Sequence, residues 1–182
     1  APGAKTTHLA ALAVGEAEVV AVERHPGRAA ALGRTAARMH ARGVRVEVAD
    51  AAAPRGDGPF DRVLVDPPCS GLGTLQARPD QRWRARPDGG HGLACEQLAI
   101  ALAGADALAP GGTLVYATCT IAAEENEDVV ARLMAARPQL ALDDLRADLP
   151  LWHHPTYDRC LLALPPRDRT AGFFIARLTK HP

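Results

Sequence analysis

Four apolar, β-branched runs in this chain stop at chemically similar places. "EVVAVE" ends on Glu23, "VRVEVAD" on Asp50, "FDRVLVD" on Asp66, and "TLVYATCT" carries Cys119 between Thr118 and Thr120. Between the runs lie stretches with helical spacing. They are Thr6 to Ala13, stopped by Gly15; "HPGRAAALGRTAARMHARG", with Pro26 suited to a first turn and Gly43 to a cap; about Leu93 to Leu108; and "EENEDVVARLMAA". Strands alternating with helices of this length need right-handed crossovers, which predicts an α/β fold with a mostly parallel sheet covered on both faces. Two further runs, "CLLALPP" and "GFFIARL", predict a C-terminal antiparallel hairpin.

In an open α/β sheet, ligands bind beyond the carboxyl ends of the strands, so Glu23, Asp50, Asp66 and Cys119 are expected on one rim. Glu23 is placed to accept hydrogen bonds from ribose hydroxyls. The opening "APGAKTT" is not a nucleotide-phosphate loop, because that loop needs glycine directly before the lysine and Ala4 stands there. Gly3 and the start of the following helix instead suit close backbone approach to a ligand without phosphate, as in a methyltransferase loop.

Size and charge narrow the rest. The 182 residues are enough for one domain with a sizeable core, read here as spanning 1–182. Lysine plus arginine and aspartate plus glutamate both number 21, so no overall field draws the chain to a polyanion. An RNA partner must be held by a local patch or an additional domain, and Arg78, Arg82, Arg84 and Arg86 around Trp83 form the concentrated basic and aromatic stretch. Four scattered cysteines without a C-x-x-C pair argue against zinc and against a secreted disulfide scaffold, and fit a reducing cytoplasm. No apolar stretch approaches the ~20 residues a membrane span needs.

"DPPCSG" at residues 66–71 carries the sharpest chemical signal. The prolines stiffen the turn and hold Asp66 towards a flat ligand, while Cys69 cannot stack on a base as an aromatic residue would. A cysteine suits carbon rather than amine methylation. C5 of cytosine attacks a methyl sulfonium only after a thiolate has added at C6, and a base must then take the C5 proton. Residue chemistry alone leaves Cys69 and Cys119 as equal candidates for that thiolate. Cys95 and Cys160 lie in an apolar helix and an apolar strand, and read as packing residues.

Taken together, "DPPCSGLGT", "RWRARP", "LVYATCTIAAEENEDVV" and "GFFIARL" resemble the RNA (cytosine-5) methyltransferases, especially the bacterial Sun/Fmu type acting on 16S ribosomal RNA. The resemblance runs over almost the whole chain. It implies a class I Rossmann-like methyltransferase fold with S-adenosyl-L-methionine held by Ala1, Pro2, Gly3, Ala4, Lys5, Glu23, Asp50 and Asp66. It further implies that Cys119 is the nucleophile, that Cys69 assists product release, and that Asp66 contacts the cytosine, with Lys5 near the target base. RNA contacts fall to Arg78, Arg82, Trp83, Arg84 and Arg86, in a cytoplasmic monomer without metal.

Three departures from the family pattern stand out. Family members carry a strand before the "APGGK" loop, whereas this chain opens at Ala1, so the first strand of the sheet and a preceding RNA-binding domain are expected upstream. Ala4 replaces a glycine, and Ala171 stands where an aspartate is common. The competing reading is a catalytically silent Rossmann-like RNA-binding or ribosome-assembly module.

Overall fold

The structure, a computed structural model, describes residues 3–13, 16–84 and 89–181. Its contacts divide the chain into two compact units, Ala1–Ala53 and Pro54–Pro182.

The first unit contains α1 (Ala4–Leu12), β1 (Val19–Val22), α2 (Pro26–Arg38) and β2 (Val44–Glu47). β1 and β2 pair in parallel, Val19 opposite Val44 through Val22 opposite Glu47. α2 buries Ala29, Leu32 and Ala36, which recur at the three- and four-residue spacing of one helix face, and Pro26 opens it as its composition predicts. Gly3 precedes α1 with φ 108°, a left-handed conformation that side chains avoid. Ala4, by contrast, already belongs to the helix, where alanine is the most favourable residue.

The second unit holds β3 (Phe60–Val65), α3 (Gln81–Arg84), α4 (Gly89–Asp106), β4 (Leu108–Thr118), α5 (Glu127–Ala136), β5 (Leu140–Leu142), β6 (Leu161–Ala163), α6 (Pro165–Asp168) and β7 (Phe173–Lys180). β3 and β4 are parallel, with Val65 opposite Tyr116. The expected hairpin forms between β6 and β7. β7 also runs antiparallel to β4 along its length, and β5 pairs with its far end, giving the sheet order β3-β4-β7-β5. The alternating burial of β7 aims Phe174, Ala176 and Leu178 into a core shared with Leu114, Tyr116, Val129, Val130 and Leu133. Tyr116 and Phe174 meet edge to face, ring centres 6.4 Å apart.

One helix starts later than its sequence suggests. "EENE" does not continue α5 backwards. Ala123–Glu125 form a single 3₁₀ turn and Asn126 leaves helical geometry at φ −116°, ψ −90°. The reason is polar: Glu125 and Asn126 are turned inwards, 1% and 0% exposed, to hydrogen-bond the loops described next.

Candidate active site

Because β3 and β4 are adjacent and parallel, the chain leaves both on the same rim, and each exit loop carries a cysteine. Cys69 and Cys119 are fifty residues apart in sequence, yet their Sγ atoms lie 3.2 Å apart as free thiols, both half-buried. Of the residues expected on the strand-end rim, the exits of β3 and β4 bring Cys119 to Cys69.

The loops are braced by side chains from α4 and from the turn before α5. Gln97 Nε2 donates to the Pro68 carbonyl (2.8 Å) and to Glu125 Oε2 (2.8 Å), and the Ser70 N–H donates to that same oxygen (2.9 Å). On the other loop, Thr118 Oγ1 donates to Asn126 Oδ1 (2.6 Å), and Asn126 Nδ2 donates to the Thr120 carbonyl (3.1 Å). Ser70 Oγ and Thr120 Oγ1 bridge the two loops directly at 2.8 Å. From the floor, Tyr116 donates its hydroxyl to the Glu125 carbonyl at 2.6 Å. Burial first, then the charge of Glu125, raises the Tyr116 hydroxyl far above its ordinary value and keeps it a donor.

Backbone contacts close the loops further. The Gly73 N–H donates to the Cys119 carbonyl (3.0 Å), and the Gly172 N–H donates to the Gly73 carbonyl (2.7 Å). A Cβ on Gly73 would overlap the Gly172 carbonyl oxygen and lie 2.8 Å from the Cys119 carbonyl oxygen. Both glycines are there for close approach, and neither was singled out by the sequence pattern.

The two sulfurs are electrostatically coupled. The hydrogen bond with Cys119, then burial, then the charge of a Cys119 thiolate raise Cys69 far above the ordinary thiol range. Two adjacent thiols cannot both ionise readily, so one sulfur keeps its proton while the other carries the negative charge. Either sulfur can be the donor at 3.2 Å, and an S–H aimed at a thiolate stabilises it.

Asp66 sits at the exit of β3, exposed, followed by buried Pro67. In the first unit, Glu23 and Asp50 follow the parallel strands β1 and β2 and are braced alike. Glu23 Oε1 accepts the His25 N–H at 2.8 Å and Arg28 Nη2 at 2.8 Å; Asp50 Oδ1 accepts the Ala52 N–H at 2.9 Å. The Arg28 hydrogen bond first, opposed by partial burial, holds the Glu23 carboxyl below its usual range. In each acid one oxygen is fixed by the local backbone, while the other accepts nothing among the described residues and can take a ligand hydroxyl. Lys5 lies exposed on α1.

Arg78, Arg82 and Trp83 are exposed around the short helix α3, with the Arg82 guanidinium 4.8 Å from the Trp83 ring centre and the indole 79% exposed. Ala1, Pro2 and Arg86 fall outside the described residues, as does the side chain of Arg84.

A sequence profile described as 16S rRNA methyltransferase RsmB/F matches residues 1–179. The chain belongs to this RsmB/F family. Relatives are the probable ribosomal RNA small subunit methyltransferase B of Synechocystis sp., 36% identical over 99% of this chain and 41% of its own length, and the ribosomal RNA small subunit methyltransferase F of Cronobacter sakazakii, 37% identical over 99% and 38%. The chain thus spans about two fifths of the curated relatives it matches. Among solved structures, NSun6 from Pyrococcus horikoshii, determined with SFG, superposes with a TM-score of 0.86 at 31% identity, covering 100% of this chain and 46% of that one. The N-methyltransferase NodS from Bradyrhizobium japonicum, determined with S-adenosyl-L-homocysteine, shares only the fold, at TM-score 0.59 and 16% identity, covering 99% of this chain and 74% of that one. The RsmB/F chain therefore has the class I, Rossmann-like methyltransferase fold that the family resemblance implies, with a mixed sheet, because β7 pairs antiparallel with β4, β5 and β6.

Proposed function

We propose that this RsmB/F chain is the catalytic domain of an S-adenosyl-L-methionine-dependent methyltransferase acting on C5 of a cytosine in 16S ribosomal RNA, working as a cytoplasmic monomer. The observation that carries the reading is the 3.2 Å approach of Cys69 and Cys119, since C5 methylation needs a thiolate and a second proton-handling group at one base. The braced carboxylates of Glu23 and Asp50, each with an acceptor oxygen unused among the described residues, fit the ribose hydroxyls and amino groups of the cofactor. When bound, the cofactor supplies an electrophilic methyl group.

In this reading Cys119 adds to C6 as the thiolate, and its charge passes into the cytosine ring, where Asp66 hydrogen-bonds the base edge. C5 becomes the nucleophile and gains the methyl. Once Cys119 sulfur is bonded to carbon, the hydrogen bond and then the charge that, with burial, held the proton on Cys69 are gone. Cys69 can then ionise and take part in removing the C5 proton. The electron pair left at C5 re-forms the C5–C6 double bond and expels Cys119. The reading assigns Lys5 to the target base and Ala1, Pro2, Gly3 and Ala4 to the cofactor. Reaching Cys119 requires the cytosine to leave its stack, and the exposed Trp83, Arg82 and Arg78, with Arg84 and Arg86, suit an unpaired strand.

The test uses the full-length protein with ribosomal RNA containing 5-fluorocytidine, whose C5 fluorine cannot leave as a proton. A covalent protein–RNA adduct is expected for the wild type and for Cys69→Ala, and none for Cys119→Ala. An adduct that survives Cys119→Ala overturns the assignment.

A further inference from the structure

Two sulfurs on separate loops stay 3.2 Å apart only if both loops are held, and the holding groups form a pattern. The residues on either side of Cys69 are gripped through the Pro68 carbonyl and the Ser70 N–H, by Gln97 and Glu125. Those on either side of Cys119 are gripped through the Thr118 hydroxyl and the Thr120 carbonyl, both by Asn126. Gln97, Glu125 and Asn126 are each at most 1% exposed. Apolar residues of equal volume would stabilise such a core at least as well, because burying polar groups costs desolvation. What hydrogen bonds add is direction, and each of these ends on a residue adjacent to a cysteine.

We propose that the consecutive residues Glu125 and Asn126 are positioning residues of the methyl transfer, a clasp whose first half, with Gln97, sets Cys69 and whose second half sets Cys119. This rests on the two-cysteine reaction proposed above. It assigns the two halves different kinetic consequences, which general destabilisation does not.

The experiment compares Glu125→Ala and Asn126→Ala in the full-length protein with cytidine- and 5-fluorocytidine-containing ribosomal RNA. Asn126→Ala should form the covalent adduct about 100-fold more slowly, the cost of an ångström-scale misplacement of a reacting atom. Glu125→Ala should form it at close to the wild-type rate but release methylated RNA about 100-fold more slowly, as Cys69→Ala does. Glu125→Gln, which keeps an acceptor for Ser70 and Gln97, should restore release. Equal slowing of both steps in both variants, or no slowing in either, overturns the clasp. Should a variant not fold, Thr118→Val and Gln97→Met each break one half while keeping side-chain size. A second readout needs no RNA or cofactor: diamide takes up the two thiol hydrogens as Cys69 and Cys119 join in a disulfide, counted by peptide mass spectrometry. Either clasp variant should slow that reaction at least tenfold. If wild-type protein forms no RNA adduct, the proposed function fails and the disulfide rate alone judges the clasp, an unchanged rate overturning it.

Discussion

Gly73→Ala probes the tightest backbone contact beneath the cysteines. The new Cβ would overlap the Gly172 carbonyl oxygen and lie 2.7 Å from its carbon and 2.8 Å from the Cys119 carbonyl oxygen. All three are main-chain atoms, so no rotamer change relieves them and the loops must separate. Overpacking of this kind costs about 1–3 kcal/mol. Separation also stretches the Gly73–Cys119 and Gly172–Gly73 hydrogen bonds, worth about 1 kcal/mol each. The expected loss is about 3–5 kcal/mol, a large share of the 5–15 kcal/mol typical of a domain. Urea unfolding of the full-length protein, followed by circular dichroism, measures it. Gly172→Ala strikes the same contact from the other side, with its Cβ 2.7 Å from Gly73 Cα, so the double variant should lose less than the sum of the single ones. Gly33→Ala is the control: it lies in α2 with nothing within 4 Å of an added Cβ, and should gain about 0.5–1 kcal/mol. A Gly73→Ala loss below about 1 kcal/mol would refute the packing argument, since that is less than the lower end of overpacking alone.

His154 is buried, with Nδ1 accepting the Thr156 and Tyr157 N–H groups, so Nε2 carries the proton and donates to Glu127 Oε1 at 2.6 Å. His154→Phe preserves ring contacts with Tyr157 and Phe174 but leaves Glu127, whose Oε2 is buried without a hydrogen-bond partner, lacking its donor; a loss of about 3 kcal/mol is expected in thermal or urea unfolding. Cys160 is fully buried and its thiol is pushed up to about 12, chiefly by burial. The unfolded thiol loses its proton first, so the unfolded chain binds fewer protons, and this contribution is intact below about pH 8.5 and falls by about 1.4 kcal/mol per unit from there towards pH 12. Cys160→Ala should flatten the alkaline decline in unfolding free energy by that slope. Trp83→Ala should shift stability by less than about 0.5 kcal/mol and weaken binding of single-stranded RNA by about 1–3 kcal/mol, read by fluorescence anisotropy.

Much of this arrangement is written in local patterns. β1, β2, β3 and β4 are apolar runs followed within a few residues by Glu23, Asp50, Asp66 and Cys119 respectively, and the β6–β7 hairpin is visible as two apolar segments around a polar turn. What sequence spacing does not disclose is partnership over distance. Gln97 reaches back 29 residues to Pro68 and forward 28 to Glu125, and Ser70 meets Glu125 across 55. Charge and amide groups in a helical stretch ordinarily mark a solvated face, so "EENE" reads as the start of α5 until the fold turns Glu125 and Asn126 inwards. Its one signal was membership in the motif after Cys119. The glycine pair was hidden for a similar reason: Gly73 and Gly172 are turn residues locally, and only tertiary contact makes the missing side chains necessary.

The placement of β7 has a consequence for how such a chain is made. Its eight residues supply the edge against which β4, β5 and β6 all pair, yet they are synthesised after every one of them. While the ribosome is still translating residue 172, β4 can pair only with β3, and β5 and β6 have no strand to join. Long-range strand pairing is slow and leaves unpaired edges exposed meanwhile. A translation pause just before β7 would therefore prolong an aggregation-prone state.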